Sequence, residues 1–274
     1  MTHHIDGKDC MISEWILLVL AYLFVGARLY YTRLSRARSP DNDKLMAVAD
    51  CLLLVSALDA LGLIICDTLT YRLGVMDRYE PSVQLSKISF ASNYLYDVGM
   101  GFPKLSMLAL YATSYFSSAP RKPRSPPRAP PPLWWYPTTA FVAACYLAIL
   151  FDDTFFCGKR VAVQWAQDEG ACSVFYAPEP FILNFTLNLA CYLVVYAVPV
   201  LLLLNGRLPM SVGVGVALAL GALTIAASLV RFVTLKVGTG QENLVYPLSM
   251  LEMALSIIVV SLPGLKPLIP STKY

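Results

Sequence analysis

A chain of 274 residues that is 57% hydrophobic and only 14% charged lies far from the roughly 25% charge of a soluble domain, and its mean hydropathy of +0.59 leaves no room for a separate soluble domain. The net charge of +3 gives no reason to expect a nucleic-acid partner; the partner implied by composition is the lipid bilayer. His3 and His4 are the two histidines, both in the N-terminal tail, which excludes Ser-His catalysis or a His-based metal site inside a membrane.

The first ten residues lack a basic n-region, and the apolar run after them is too long for a signal-peptide h-region, so the first helix is expected to stay as an anchor. Seven apolar segments follow, at about 12–34, 45–66, 86–116, 134–156, 181–205, 212–237 and 244–265. Each is at least the ~20 residues that cross a bilayer as a helix, and the third is long because a polar start (Ser86, Lys87, Ser89) precedes its apolar centre. They predict an all-α integral-membrane seven-helix bundle, a single domain over 1–274. Pro103, Pro199 and Pro247 fall inside these segments, where neighbouring helices absorb kinks.

Lys and Arg set the expected orientation. Arg33, Arg36, Arg38 and Lys44 follow the first segment, and Arg121, Lys122, Arg124 and Arg128 follow the third with no acid among them; Arg207, Lys266 and Lys273 come later. On the opposite side Lys8, Arg72, Arg78, Lys159 and Arg160 are diluted by Asp67, Asp77, Glu80, Asp168, Glu169 and Glu179. The N-terminus is therefore expected outside and the C-terminus in the cytoplasm. The Pro/Arg-rich cytoplasmic loop at 117–133 reads as an extended polyproline II connector, with an SH3-type or anionic-lipid contact as the alternative.

Cys157 and Cys172 share the outer loop after the fourth segment, on the oxidising side. A bridge there closes a loop of about fifteen residues, worth roughly 3 kcal/mol in the chain-entropy model. Cys10 and Cys66 fall near the same face, and their pairing stays open. Cys51, Cys145 and Cys191 are expected as packing residues within helices.

Polar residues inside the helices recur at spacings of three, four and seven, which keeps each set on one face. Asp59, Asn93, Asp97, Asn184, Asn188, Arg231 and Glu252 all fall in the outer half, and form the candidate pocket. The alternative is interhelical polar contacts that only hold the bundle. Arg231 and Glu252 flank the turn Gly238–Asn243 at depths of ~8 Å and ~14 Å along their helices. An isolated intramembrane charge costs about 2.5–3.5 kcal/mol, so the two are expected to form an ion pair. Arg28 and Lys104 lie nearer the cytoplasmic half and are expected to snorkel or pair locally. Asp152-Asp153 has no third acid after it, Phe156 standing where one would follow, and no metal site is expected. Asn184-Phe-Thr186 fits a glycosylation pattern but lies within a membrane segment.

Several motifs stand in a familiar order. Arg28 is followed by Asp41-Asn42-Asp43, and Lys104-Leu-Ser-Met-Leu-Ala-Leu-Tyr111 matches a "K-x-S-x-L-x-x-Y" pattern. Phe156-Cys157, Trp165 and Cys172 resemble "F-x-C…W…C", with Asn184 and Asn188 at an "N-x-x-x-D" site. Arg231, Glu252 and the ending Leu262-Pro263-Gly-Leu-Lys-Pro-Leu268 resemble "R…E…L-P-x-L-R-P". Over nearly its whole length the chain resembles the fungal rhodopsin-like domain family of seven-transmembrane proteins, the family of the satratoxin-cluster integral membrane protein. It departs from that pattern at Asn42, at Asn188, and in lacking a Trp before Glu252.

Because members are often encoded in secondary-metabolite gene clusters, the resemblance implies a multi-pass protein of the plasma membrane or an endomembrane. Its implied role is an accessory component that binds or moves an apolar small molecule. Two alternatives stay open. One is a GPCR-like surface receptor without retinal, although an Asp-Arg-Tyr after the third segment and an Asn-Pro-x-x-Tyr in the last are absent. The other is an integral-membrane cyclase using Asp59, Asp97 or Glu252 as an acid, so enzymatic activity is left open. No cofactor is expected: retinal proteins hold the chromophore on a Lys near the middle of the last helix, and 244–265 contains none. Nothing in the sequence assigns an oligomeric state.

Overall fold

Long apolar segments must satisfy their backbone groups internally once water is removed, and a helix does so within one segment. The computed structural model describes residues 6–38, 44–76, 82–118, 133–166, 172–175, 177–206, 212–237 and 244–263. Both histidines, residues 119–132 of the Pro/Arg-rich loop, Asp41–Asp43, the Gly238–Asn243 turn and the chain after Pro263 lie outside the described residues. The elements are α1 (Gly7–Arg38), α2 (Lys44–Arg72), α3 (Val83–Gly99), α4 (Gly101–Ser118), α5 (Trp135–Phe155), a 3-10 helix (Val161–Trp165), α6 (Pro178–Leu204), α7 (Val212–Val237) and α8 (Val245–Ser261). The fold is an all-helical bundle.

Five helices, α1, α2, α5, α6 and α7, are long and apolar enough to cross a membrane. Their outward faces carry large apolar side chains in the open: Ile16, Leu23, Leu58 and Leu223 are each more than half exposed. A soluble monomer rarely shows such continuous apolar surface; a bilayer covers it. The shorter α8 has 17 residues, most of them buried, and packs against α1, α2, α4 and α7. It is the central post of the bundle.

The segment expected as one helix over 86–116 folds as two, α3 and α4, with Met100 between them. Pro103 supplies the reason: it has no N–H to donate back to Gly99 and its ring crowds that carbonyl. Pro103 and Pro247 thereby stand in the first turns of α4 and α8, whereas Pro199 lies within α6. Ser82 caps α3 by accepting from the Leu85 amide at 3.1 Å.

Of the two expectations for Arg28, local pairing holds rather than snorkelling. The side chain is fully buried, donating to Asp50 Oδ1 at 2.9 Å and to the Val260 carbonyl at 2.7 Å, and so ties α1 to α2 and α8. Glu14, which the sequence pattern did not single out, is buried at 0% exposure against Asp67 of α2. Cys145 and Cys191 pack in the core, while Cys51 is exposed.

Cys157 and Cys172 are joined, with Cα atoms 5.6 Å apart; no disulfide joins Cys10 to Cys66. Gly158 turns the chain directly after Cys157 at φ +93°, a conformation that costs a glycine nothing sterically. Cys157→Ser is expected to lower the unfolding free energy by about 3 kcal/mol, from the lost constraint on a loop with a sequence separation of 15. Denaturation in detergent reads this directly, and an unchanged midpoint contradicts it.

Candidate functional site

The polar residues of the disulfide-bearing half meet in two linked layers. The deeper one is built on α8. Glu252, with 0% exposure, accepts a hydrogen bond from the Tyr96 hydroxyl and another from Asn188 Nδ2 at 3.2 Å. Asn188 Oδ1 in turn accepts from Lys104 Nζ at 2.8 Å and from the Tyr146 hydroxyl at 2.6 Å. Lys104 gives its remaining protons to the Tyr146 oxygen at 2.8 Å and the Met100 carbonyl at 3.1 Å, and its ammonium lies 3.5 Å from the centre of the Tyr192 ring. One chain of contacts thus crosses α8, α6, α4, α5 and α3. Such a network is costly to leave half-made.

Lys104 was expected to snorkel or pair locally; it is instead 3% exposed and at the heart of the network. Gly101, one turn before it, explains how Tyr146 reaches so close. A Cβ on Gly101 would sit 2.7 Å from Tyr146 Cγ. Gly101→Ala is therefore expected to cost about 1–3 kcal/mol, the usual penalty of overpacking, by pushing Tyr146 off Lys104. A thermal midpoint equal to the wild type's contradicts this.

The second layer lies nearer the disulfide. Asn184, one helical turn before Asn188, donates its two amide protons to Asp153 Oδ1 at 2.8 Å and Asp97 Oδ2 at 3.2 Å. The Asp153 carbonyl accepts from Gln164 Nε2 at 2.7 Å, and Gln164 Oε1 accepts from the Val174 amide at 3.0 Å. The bridged loop is therefore tied to the same side chains. Arg231 donates through Nε to Ser249 Oγ at 2.8 Å, and its guanidinium lies 3.8 Å from the centre of the Tyr96 ring.

This overturns the expected Arg231–Glu252 ion pair. Tyr96 stands between them, offering its ring face to Arg231 and its hydroxyl to Glu252. The ring is the shape that fills the difference in depth between the two charges. Cation–π contact with a desolvated ring is worth about 2 kcal/mol.

Between the layers and the loop lies a small cavity of about 20 Å³, room for about one water. Asn93, Asp97, Asn184, Asn188 and Arg231 form its polar wall; Val174, Phe175, Phe181 and Phe185 form the apolar one, with Tyr96 at the seam. Phe185 stacks on Phe232 at 3.9 Å between ring centres, fixing α6 against α7. At any one point the contiguous room is water-sized. Glu252 stands behind the wall, reached through Asn188 and Tyr96. Asp59 is half-buried against Gly99 and Met253 and is not on the cavity wall. Among the described residues no three His, Cys, Asp or Glu side chains gather to hold a metal.

The pattern of polar spacing missed Tyr96, Tyr146 and Asp153. The tyrosines read as apolar filler in a membrane segment, and Asp153 read only as half of an acidic doublet.

The motif order described above is matched independently: a family model described as the fungal rhodopsin domain covers residues 27–271. The chain belongs to the fungal rhodopsin family. With its apolar helices, this makes it a multi-pass integral membrane protein. No curated protein matches the chain, and no solved structure does. Of the motif residues, Lys104, Arg231 and Glu252, with the Cys157–Cys172 bridge, all belong to the assembly of contacts described here.

Proposed function

We propose that this fungal rhodopsin family member is a seven-crossing membrane component of a secondary-metabolite pathway that binds or moves a largely apolar small molecule. The count of seven takes α3 and α4 together as one bent crossing, which is supported by α2 packing along both. Read with the Lys/Arg asymmetry, the disulfide-bearing end faces outward, and the N-terminus with it. The observation that carries the ligand reading is the cavity itself. A polar wall drawn from α3, α6 and α7 faces an aromatic one beneath a tethered loop, the composition usual for small-molecule sites. The pathway role rests on the family resemblance.

Retinal is not the occupant in this reading. No lysine stands in α8, and Lys104 already donates to three oxygens. Reconstituted protein is expected to stay colourless after retinal addition; a visible band bleached by hydroxylamine contradicts this.

Deleting the gene and profiling metabolites tests the pathway role. The expected result is loss or redistribution of one apolar product. An accumulated uncyclised precursor assigns the enzyme reading instead, and unchanged chemistry with a lost surface response assigns the receptor reading.

A further inference from the structure

Glu14 of α1 and Asp67 of α2 are two acids that the candidate site does not use. They meet out of solvent: Glu14 is 0% exposed and Asp67 1%, and the two side chains lie within hydrogen-bonding reach of each other. Ser92 of α3 donates to Asp67 Oδ1 at 3.2 Å. Both Glu14 oxygens and Asp67 Oδ2 lack a donor, a standing penalty for buried acceptors. Phe90, two residues before Ser92, packs on Trp165 of the 3-10 helix, so the pair sits at the disulfide-bearing end.

No cation offsets them. Among the described residues neither acid makes an ion pair. Lys8 and Arg72, at this end of α1 and α2, are exposed, and Lys87 of α3 is turned to the Trp165 ring. Asp97 of α3 accepts from Asn184, and Glu252, the charged residue of α8, from Tyr96 and Asn188. The nearest titratable neighbours are the Cys10 and Cys66 thiols, with Asp6 and Asp9 beyond Cys10; none of them brings positive charge. Two carboxylates side by side in a low-dielectric interior repel and lose their hydration, so they do not both ionise. A proton between them supplies the missing donor and removes one charge.

We propose that Glu14 and Asp67 form a proton-binding site: one carboxyl group keeps its proton and donates it to the other, clasping α1 to α2 and, through Ser92, to α3. When the proton leaves, no bond replaces it, and two facing carboxylates push the helices apart. Ser92 stands one helical turn before Tyr96, which bonds Glu252, so the clasp is set on the same helix as the polar network. The disulfide-bearing end is thereby a pH-sensitive joint, closed in acid and loosened in alkali. The folded chain holds a proton at a pH where the unfolded chain's carboxylates hold none, so its stability is full in acid and falls as pH rises.

Thermal midpoints of the full chain in lipid nanodiscs, followed from mildly acidic to mildly alkaline pH, test this. Glu14→Gln is the comparison, since its amide gives Asp67 a donor that does not titrate. The wild-type midpoint is expected to fall by about 3–5 °C per pH unit more than the variant's, the effect of one proton on a protein of this size. Parallel curves overturn the proposal. Infrared difference spectroscopy gives a second reading that does not depend on the Gln variant. Raising the pH of the wild type is expected to remove a carbonyl band of a protonated carboxyl group, and Asp67→Asn to shift that band, because the acid's partner has changed. No such band, or one that Asp67→Asn leaves in place, also overturns it.

Discussion

Lys104→Met is expected to lower the unfolding free energy by about 3–5 kcal/mol, the range for removing one member of a buried charged network. The substitution keeps length and apolar bulk but withdraws the donor shared by Asn188, Tyr146 and Met100. It also leaves Glu252, fully buried, with one cation fewer nearby. Adding Glu252→Gln should then recover part of the loss, because the uncompensated carboxylate is gone while an amide still accepts from Tyr96. Denaturation of both singles and the double in detergent gives the coupling. Strict additivity would show that Asn188 does not relay between the two.

Asp50→Leu is expected to cost a similar ~3–5 kcal/mol. Arg28 has 0% exposure and keeps only the Val260 carbonyl once the carboxylate is removed. The break falls where α1, α2 and α8 meet, so the three helices lose their common tie. Arg28→Met with Asp50→Leu removes the stranded charge and should be more stable than Asp50→Leu alone. A double variant no better than the single contradicts the role given to the ion pair.

The sequence made the helices legible because apolar length and helical period are strong signals in a chain that must satisfy every backbone group in lipid. It also placed the polar wall: Asn93, Asp97, Asn184, Asn188 and Arg231 line one cavity, since residues three, four or seven apart share a face. Partner choice was less legible. Counting along one unbroken third helix put Lys104 near the cytoplasmic half. Lys104 is instead buried in the network, donating to the Met100 carbonyl, Tyr146 and Asn188. Two opposite charges at different depths suggested an ion pair, but a tyrosine that bonds with both its ring and its hydroxyl cannot be recognised from hydropathy. Asp59 shares the period of the pocket residues, yet its position on α2 faces the Gly99 backbone rather than the cavity.

Mass spectrometry of an organic extract from the purified protein tests the central claim, a ligand cavity at the disulfide end of the bundle, most directly. Protein taken from its native membrane is compared with Asn93→Phe, which fills the cavity at a half-buried wall position without touching Glu252 or Lys104. The wild type is expected to yield one small molecule in near-stoichiometric amount, and Asn93→Phe little or none of it. Equal recovery from both proteins, or none from the wild type, would contradict the account.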